Sequence, residues 1–313
     1  MNNIASRAMG LSVPSARRST SRNAVFVTLL LVGVGCWWRC AVTLLTLAFT
    51  NEQYSHVLLV LPVSLSLVLL EGRAQGIKPA WSPFPALALV LVSVATVLAM
   101  QITTGTVDER ALIIGIASLV VYVIGLVMLF FGVPAARQLP FPLLFLFLIV
   151  PIPQVVVDKC ILALQVASTD ATFTLFRWSG VPVLKSGFVL TFPTLDIEVA
   201  KQCSGIRSSI ILLISSMVLS HLFVRSHWGK ILLVLAAVPI SIAKNAVRIF
   251  TLSMLGMKVD PGFLYGRLHR NGGVIFFLLA MAGLAVLVKA INIGEKWTAQ
   301  PWLRPPGRRI YTR

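Results

Sequence analysis

The stretch "ALIIGIASLVVYVIGLVMLFF", Ala111–Phe131, holds no charged side chain over 21 residues. At 1.5 Å per residue such a run covers about 30 Å, the thickness of a bilayer's hydrocarbon core. In lipid only a helix of this kind satisfies every backbone N–H and C=O within its own segment. The same reading extends outward in both directions. The 313-residue chain is 57% hydrophobic and 12% charged, with a mean hydropathy of +0.90, and one water-soluble core cannot bury that much apolar surface. Apolar runs fall at Ala24–Leu47, Tyr54–Leu70, Phe84–Gln101, Ala111–Phe131, Phe141–Val157, Ile206–Val224, Ile231–Phe250 and Gly273–Lys289. The expectation is an all-α polytopic membrane protein of about eight transmembrane helices.

Basic residues set the orientation, because cytoplasmic loops collect them. With the N-terminus inside, cytoplasmic segments hold 15 of the 27 Lys and Arg, whereas the outer loops "TNEQ" and "TTGTVDER" hold only Arg110. Both termini are therefore expected in the cytoplasm. The net charge of +17 follows from this bias and from attraction to anionic lipid, so membrane lipid is an expected partner and nucleic acid is not. Residues 1–22, polar and rich in Ser and Arg, read as a disordered basic cytoplasmic tail. The first apolar run is too long for a signal peptide and has no small-residue cleavage site. Arg39 interrupts that run in "GCWWRC", beside Trp37 and Trp38, which suit an interfacial belt.

The remaining organisation is residues 23–157 as helices one to five, 158–202 outside the membrane, 203–290 as helices six to eight, and 291–313 as a second basic cytoplasmic tail. In the outer segment, "KCILALQVASTDATFTLFRW" spaces Ile161, Leu164, Ala167 and Leu175 as an interfacial helix would. "VPVLKSGFVLTFPTLDIEVA" alternates Leu195, Ile197 and Val199 with Asp196 and Glu198 around a Ser-Gly turn, the pattern of a β-hairpin. The chain then passes from strand directly into "KQCSGIRSS".

Ionisable residues at the mouth of a span are costly to place in lipid and therefore informative. Cys203 opens span six, with Arg207 four residues on. Lys244 and Arg248, also four apart, flank Asn245 near the outer end of span seven, and His269 precedes span eight. Alternation of the spans puts all three groups at the outer surface. A thiol at a helix N-terminus beside a guanidinium favours its thiolate. An imidazole can carry the proton to a leaving amine, and a guanidinium can hold a tetrahedral oxyanion. His56, which also opens a span from outside, competes with His269 as the base, and Arg207 competes with Arg248. Ser204 reads as the helix cap.

Other chemistries lack their motifs: there is no HExxH, GxSxG, P-loop or His/Cys metal spacing among the four cysteines and four histidines, so no metal or cofactor is expected. The basic residues alone also suit a transporter or assembly factor for lipid-linked saccharide or exopolysaccharide, in which Cys203 is inert. Cys203→Ser separates the two, since only the enzyme loses function.

The motifs "CSGIRSS" at Cys203–Ser209, "KNAVRIF" at Lys244–Phe250 and "HRNGG" at His269–Gly273, with echoes in "YSHVLLVLP" and "FLFLIVPIP", resemble the exosortase/archaeosortase family. Those are membrane-embedded cysteine proteases or transpeptidases of protein sorting. The resemblance implies that Cys203 is the nucleophile, Arg248 the oxyanion stabiliser or thiolate partner, and His269 the general acid/base, with Ser204, Gly205, Arg207, Lys244, Asn245 and His56 in support. It also implies a bacterial cytoplasmic membrane, an extracytoplasmic active site and, as substrates, exported proteins with a C-terminal sorting tail. That tail is a short motif such as Pro-Glu-Pro, a transmembrane helix and a basic cluster.

Overall fold

The computed structural model describes residues 15–74, 83–103, 107–193, 195–260, 262 and 273–298. Eleven α-helices and one small sheet occur among them. Six helical stretches are long and apolar enough to cross a membrane, and two bent pairs raise the number to eight. The expected all-α polytopic membrane fold is the observed one. The chain divides into two compact units after Pro153.

The first unit is built on α5 (Glu109–Phe131), the helix of the opening quotation. Asp108 caps it by accepting from the Ala111 amide, which satisfies one of the orphan donors of the first turn. Its small residues admit neighbours closely. A Cβ on Gly125 would stand 3.0 Å from Val90 of α4 (Pro83–Thr103), and one on Gly115 would stand 2.6 Å from the Cys40 sulfur.

Cys40 belongs to α2 (Trp38–Thr50), which meets α1 (Ser15–Cys36) at a 78° bend. The interruption expected near Arg39 is this bend, centred on Trp37. The two tryptophans divide there: Trp38 is exposed, whereas Trp37 is 1% exposed, donates its indole N–H to Ser118 Oγ at 2.8 Å and packs on Tyr122. A buried hydrogen-bond partner on α5 removed Trp37 from any interfacial belt. Helix α1 begins at Ser15, so the helix takes in part of the stretch read as a tail; residues 1–14 lie outside the described ones. After α3 (Val57–Ala74) the loop of Lys78 likewise lies outside them, as do 104–106. The unit closes with the short α6 (Val133–Gln138) and α7 (Pro140–Phe145) and a 3₁₀ turn, Leu146–Ile149.

The second unit opens with α8 (Gln154–Trp178), a 25-residue helix that covers the stretch read as an interfacial helix. It takes in the last four residues of the expected fifth span, Phe141–Val157, which is therefore not one continuous helix. Of the apolar positions expected to share a face, Ile161 is buried and Leu164, Ala167 and Leu175 are half-buried. The fully buried line continues instead through Gln165, Ser168, Thr169 and Thr172 to Phe176. Polar side chains thus face protein, and Leu162 and Val166 face outward.

The expected hairpin is present and gains a third strand. Strands β1 (Leu184–Ser186), β2 (Val189–Thr191) and β3 (Asp196–Glu198) form an antiparallel sheet in that order. Ser186 pairs with Val189 across a turn whose Gly187 has φ +60°. Leu190 and Phe192 bury against Phe176, whose ring centroid is 4.7 Å from that of Phe192 and 4.8 Å from that of Phe250. Lys185 pairs with Asp170, tying β1 to α8.

Three long helices complete the unit: α9 (Ile206–Phe223), α10 (His227–Lys258) and α11 (Gly273–Thr298). Helix α10 runs eight residues past the expected end at Phe250 because Leu252 and Gly256 are buried and Met254 and Met257 pack beneath the sheet. Ser226 caps its start, and Glu295 of α11 accepts from the Ser226 amide at 2.9 Å. Leu212, Leu233 and Leu284 form the shared core of the three helices. Residues 299–313 lie outside the described ones.

Candidate active site

Strand β3 delivers the chain into a 3₁₀ turn, Lys201–Ser204, that carries Cys203. The Cys203 amide donates to Ala200 O at 2.8 Å. Just upstream, Gln165 of α8 donates to the Val199 carbonyl. Gly205 follows with φ +71° and serves as the N-cap of α9. Cys203 therefore lies before the helix, and the left-handed residue between them removes the i, i+4 relation expected of Cys203 and Arg207. Arg207 is exposed on the first turn of α9. Ser204 is not the cap: its side chain is 1% exposed, and its Oγ has no hydrogen-bond partner among the described residues.

From α10, Asn245 reaches this turn, Ser241 and Lys244 meet the first turn of α9 beside it, and Arg248 follows one helical turn beyond Lys244. Asn245 Nδ2 donates to Cys203 O at 2.7 Å. Lys244, 9% exposed, donates from its ammonium to Ser208 Oγ, which in turn donates to Gly205 O at 3.0 Å. Ser209 Oγ donates to the same carbonyl at 2.8 Å and also meets Ser241 Oγ. A buried ammonium is tolerable here because hydroxyl and carbonyl dipoles surround it, where bare hydrocarbon would cost several kcal/mol. Arg248 and Cys203 are both half-buried.

The structure thus brings together Cys203, Gly205, Lys244 and Asn245, with Arg248 one helical turn beyond Lys244. His269, together with Arg267 and Arg270, lies outside the described residues. His56 belongs to the first unit: it is buried, and its ring nitrogens face Gln53 O at 2.9 Å and Leu148 O at 3.2 Å. With both nitrogens turned to backbone carbonyls, His56 ties the turn at Glu52–Tyr54 to Leu148. Among the other cysteines, Cys40 is buried and Cys160 is exposed. No cluster of His, Cys, Asp or Glu suited to a metal occurs among the described residues.

Reading the sequence for ionisable groups missed the uncharged half of this site. Gln165, Ser208, Ser209 and Ser241 all hold its backbone or one another. The signal was present in α8, where Gln165, Ser168, Thr169 and Thr172 recur at helical spacing on one face.

The fold and this polar cluster define a multi-pass membrane protein with a cysteine-bearing turn built into its helices. The sequence model described as transmembrane exosortase matches residues 37–286, from the bend at Trp37 into α11. The chain belongs to that family. No curated protein and no solved structure matches it.

Proposed function

We propose that the chain is a membrane cysteine protease or transpeptidase that cleaves the C-terminal sorting tails of exported proteins at the outer face of a bacterial cytoplasmic membrane. The observation that carries this reading is the half-buried Cys203 on a turn braced by two helices, α8 and α10, in a chain of the exosortase family. His269 takes the Cys203 thiol proton as Sγ attacks the scissile carbonyl carbon, and a C–S bond forms as the carbonyl π pair moves to oxygen. Arg248, one helical turn beyond Lys244 on α10, stabilises that oxyanion. The C–N bond then breaks, His269 hands its proton to the departing amine, and the upstream part of the substrate remains as a thioester. Water or the amine or hydroxyl of an acceptor attacks the thioester and restores the thiol.

The substrate tail, a short motif followed by an apolar helix and a basic cluster, reaches this site from within the bilayer. The family and the basic residues of α10 support this, as does the excess of Lys and Arg in the segments assigned to the cytoplasm.

The test is mass spectrometry of the protein purified with an exported protein bearing such a tail, in wild type and Cys203→Ala. A substrate fragment in thioester linkage to Cys203, absent from the variant, is the expected result. Cleavage that persists in Cys203→Ala overturns the assignment.

A further inference from the structure

We propose that Asn245 is a positioning residue for the Cys203 thiol, acting through the backbone of Cys203 itself. The inference rests on the reading of Cys203 as the nucleophile. The turn that bears Cys203 has no side-chain cap, and the left-handed Gly205 at φ +71° separates it from α9. Neither neighbouring element therefore dictates where the thiol points.

Other side chains fix the chain on both sides. Gln165 holds Val199 O upstream, and Ser208 and Ser209 both hold Gly205 O downstream. At Cys203 itself, the side-chain hydrogen bond seen among the described residues is the one from Asn245, at 2.7 Å to the carbonyl oxygen. Asn245 is 1% exposed, so water does not compete for that bond. Its other amide atom, Oδ1, is buried with no hydrogen-bond partner among the described residues, and a Cβ on Gly205 would stand 3.0 Å from it. One amide group thus holds the nucleophile's carbonyl with its nitrogen, while its oxygen lies where a side chain on Gly205 would press on it. This role differs from those of Lys244 and Arg248 on the same helix, because Asn245 carries no charge to lend to a thiolate or an oxyanion.

A displacement of about 1 Å at a reacting atom can cost on the order of 100-fold in rate. Asn245→Ala is expected to lower kcat on a sorting-tail substrate about 10- to 100-fold while KM stays within about threefold. Rates are normalised to the fraction of molecules whose buried Cys40 stays protected from alkylation, mapped by mass spectrometry, so that loss of folded protein does not count. Alkylation of Cys203, followed in time with iodoacetamide on the protein in nanodiscs, is expected to quicken several-fold in Asn245→Ala as the turn loosens.

Gly205→Ala presses on the same amide from the other side. Its effect on kcat should shrink in the Asn245→Ala background, where the opposing Oδ1 is gone; two independent structural defects would multiply instead. Unchanged kcat and alkylation rate in Asn245→Ala overturn the proposal. If wild type shows no Cys203-dependent cleavage, the nucleophile reading fails, and the alkylation rate still decides whether Asn245 positions the thiol.

Discussion

Gly205→Ala tests the physics of the site without any substrate. The left-handed backbone at φ +71° costs an alanine about 1–2 kcal/mol. The new methyl group would also meet Asn245 Oδ1 at 3.0 Å and Cγ at 3.2 Å. Asn245 must then give ground, at the expense of its bond to Cys203 O, worth about 1 kcal/mol net. Against these stands a gain of about 0.4–1 kcal/mol from the stiffer unfolded chain. The expected net loss is about 1–2.5 kcal/mol. Gly187→Ala is the internal control, because Gly187 has φ +60° and a Cβ on it would meet nothing within 4 Å. It bears the backbone cost and the unfolded-chain gain alone, so the two variants should differ by about 1 kcal/mol, the worth of the Asn245 bond. Reversible unfolding in detergent mixed with a denaturing surfactant measures both midpoints. Equal losses in the two variants would refute the clamp between Asn245 and the turn.

Phe176→Ala should be the most damaging single change beneath the sheet, at about 3–5 kcal/mol, because a fully buried ring in contact with Phe192 and Phe250 leaves a cavity there; the same unfolding midpoint reports it. Asp170→Asn breaks the pair with Lys185 but should cost under about 1 kcal/mol, since both side chains are solvent-accessible and screened; a loss beyond about 2 kcal/mol would contradict this. In detergent, a maleimide should label Cys160 readily and Cys40 only on unfolding, because Cys40 is 5% exposed and sits against Gly115. Mass-spectrometric mapping of labelled peptides over time reads both.

Much of the membrane fold was legible because hydrocarbon imposes a local rule: a span must be apolar over about 20 residues and bond its own backbone. Ala111–Phe131 obeys that rule without interruption, and the helix found there is nearly the run itself. Legibility failed where partners override local pattern. Trp37 and Trp38 are neighbours of one type, yet Ser118, 81 positions away, buries the first and not the second. Helix α10 outlasts its apolar run because Met254 and Met257 find a sheet to cover. The polar face of α8 was visible as a period, but its buried fate depended on the backbone of the Cys203 turn and on α10.

The sequence by itself determined the solvent, the approximate spans, the helix and strands between spans five and six, and the residue types that make Cys203, Lys244, Asn245 and Arg248 notable. Hydropathy and periodicity act over one or two turns, and those properties need nothing more. Only the tertiary structure decided that Cys203 precedes α9, that Gly205 and not Ser204 caps it, and that Asn245 reaches Cys203 O across 42 positions of chain. Such contacts arise when helices pack. A glycine without a Cβ opens the gap, and a buried amide fills it, which no local pattern encodes.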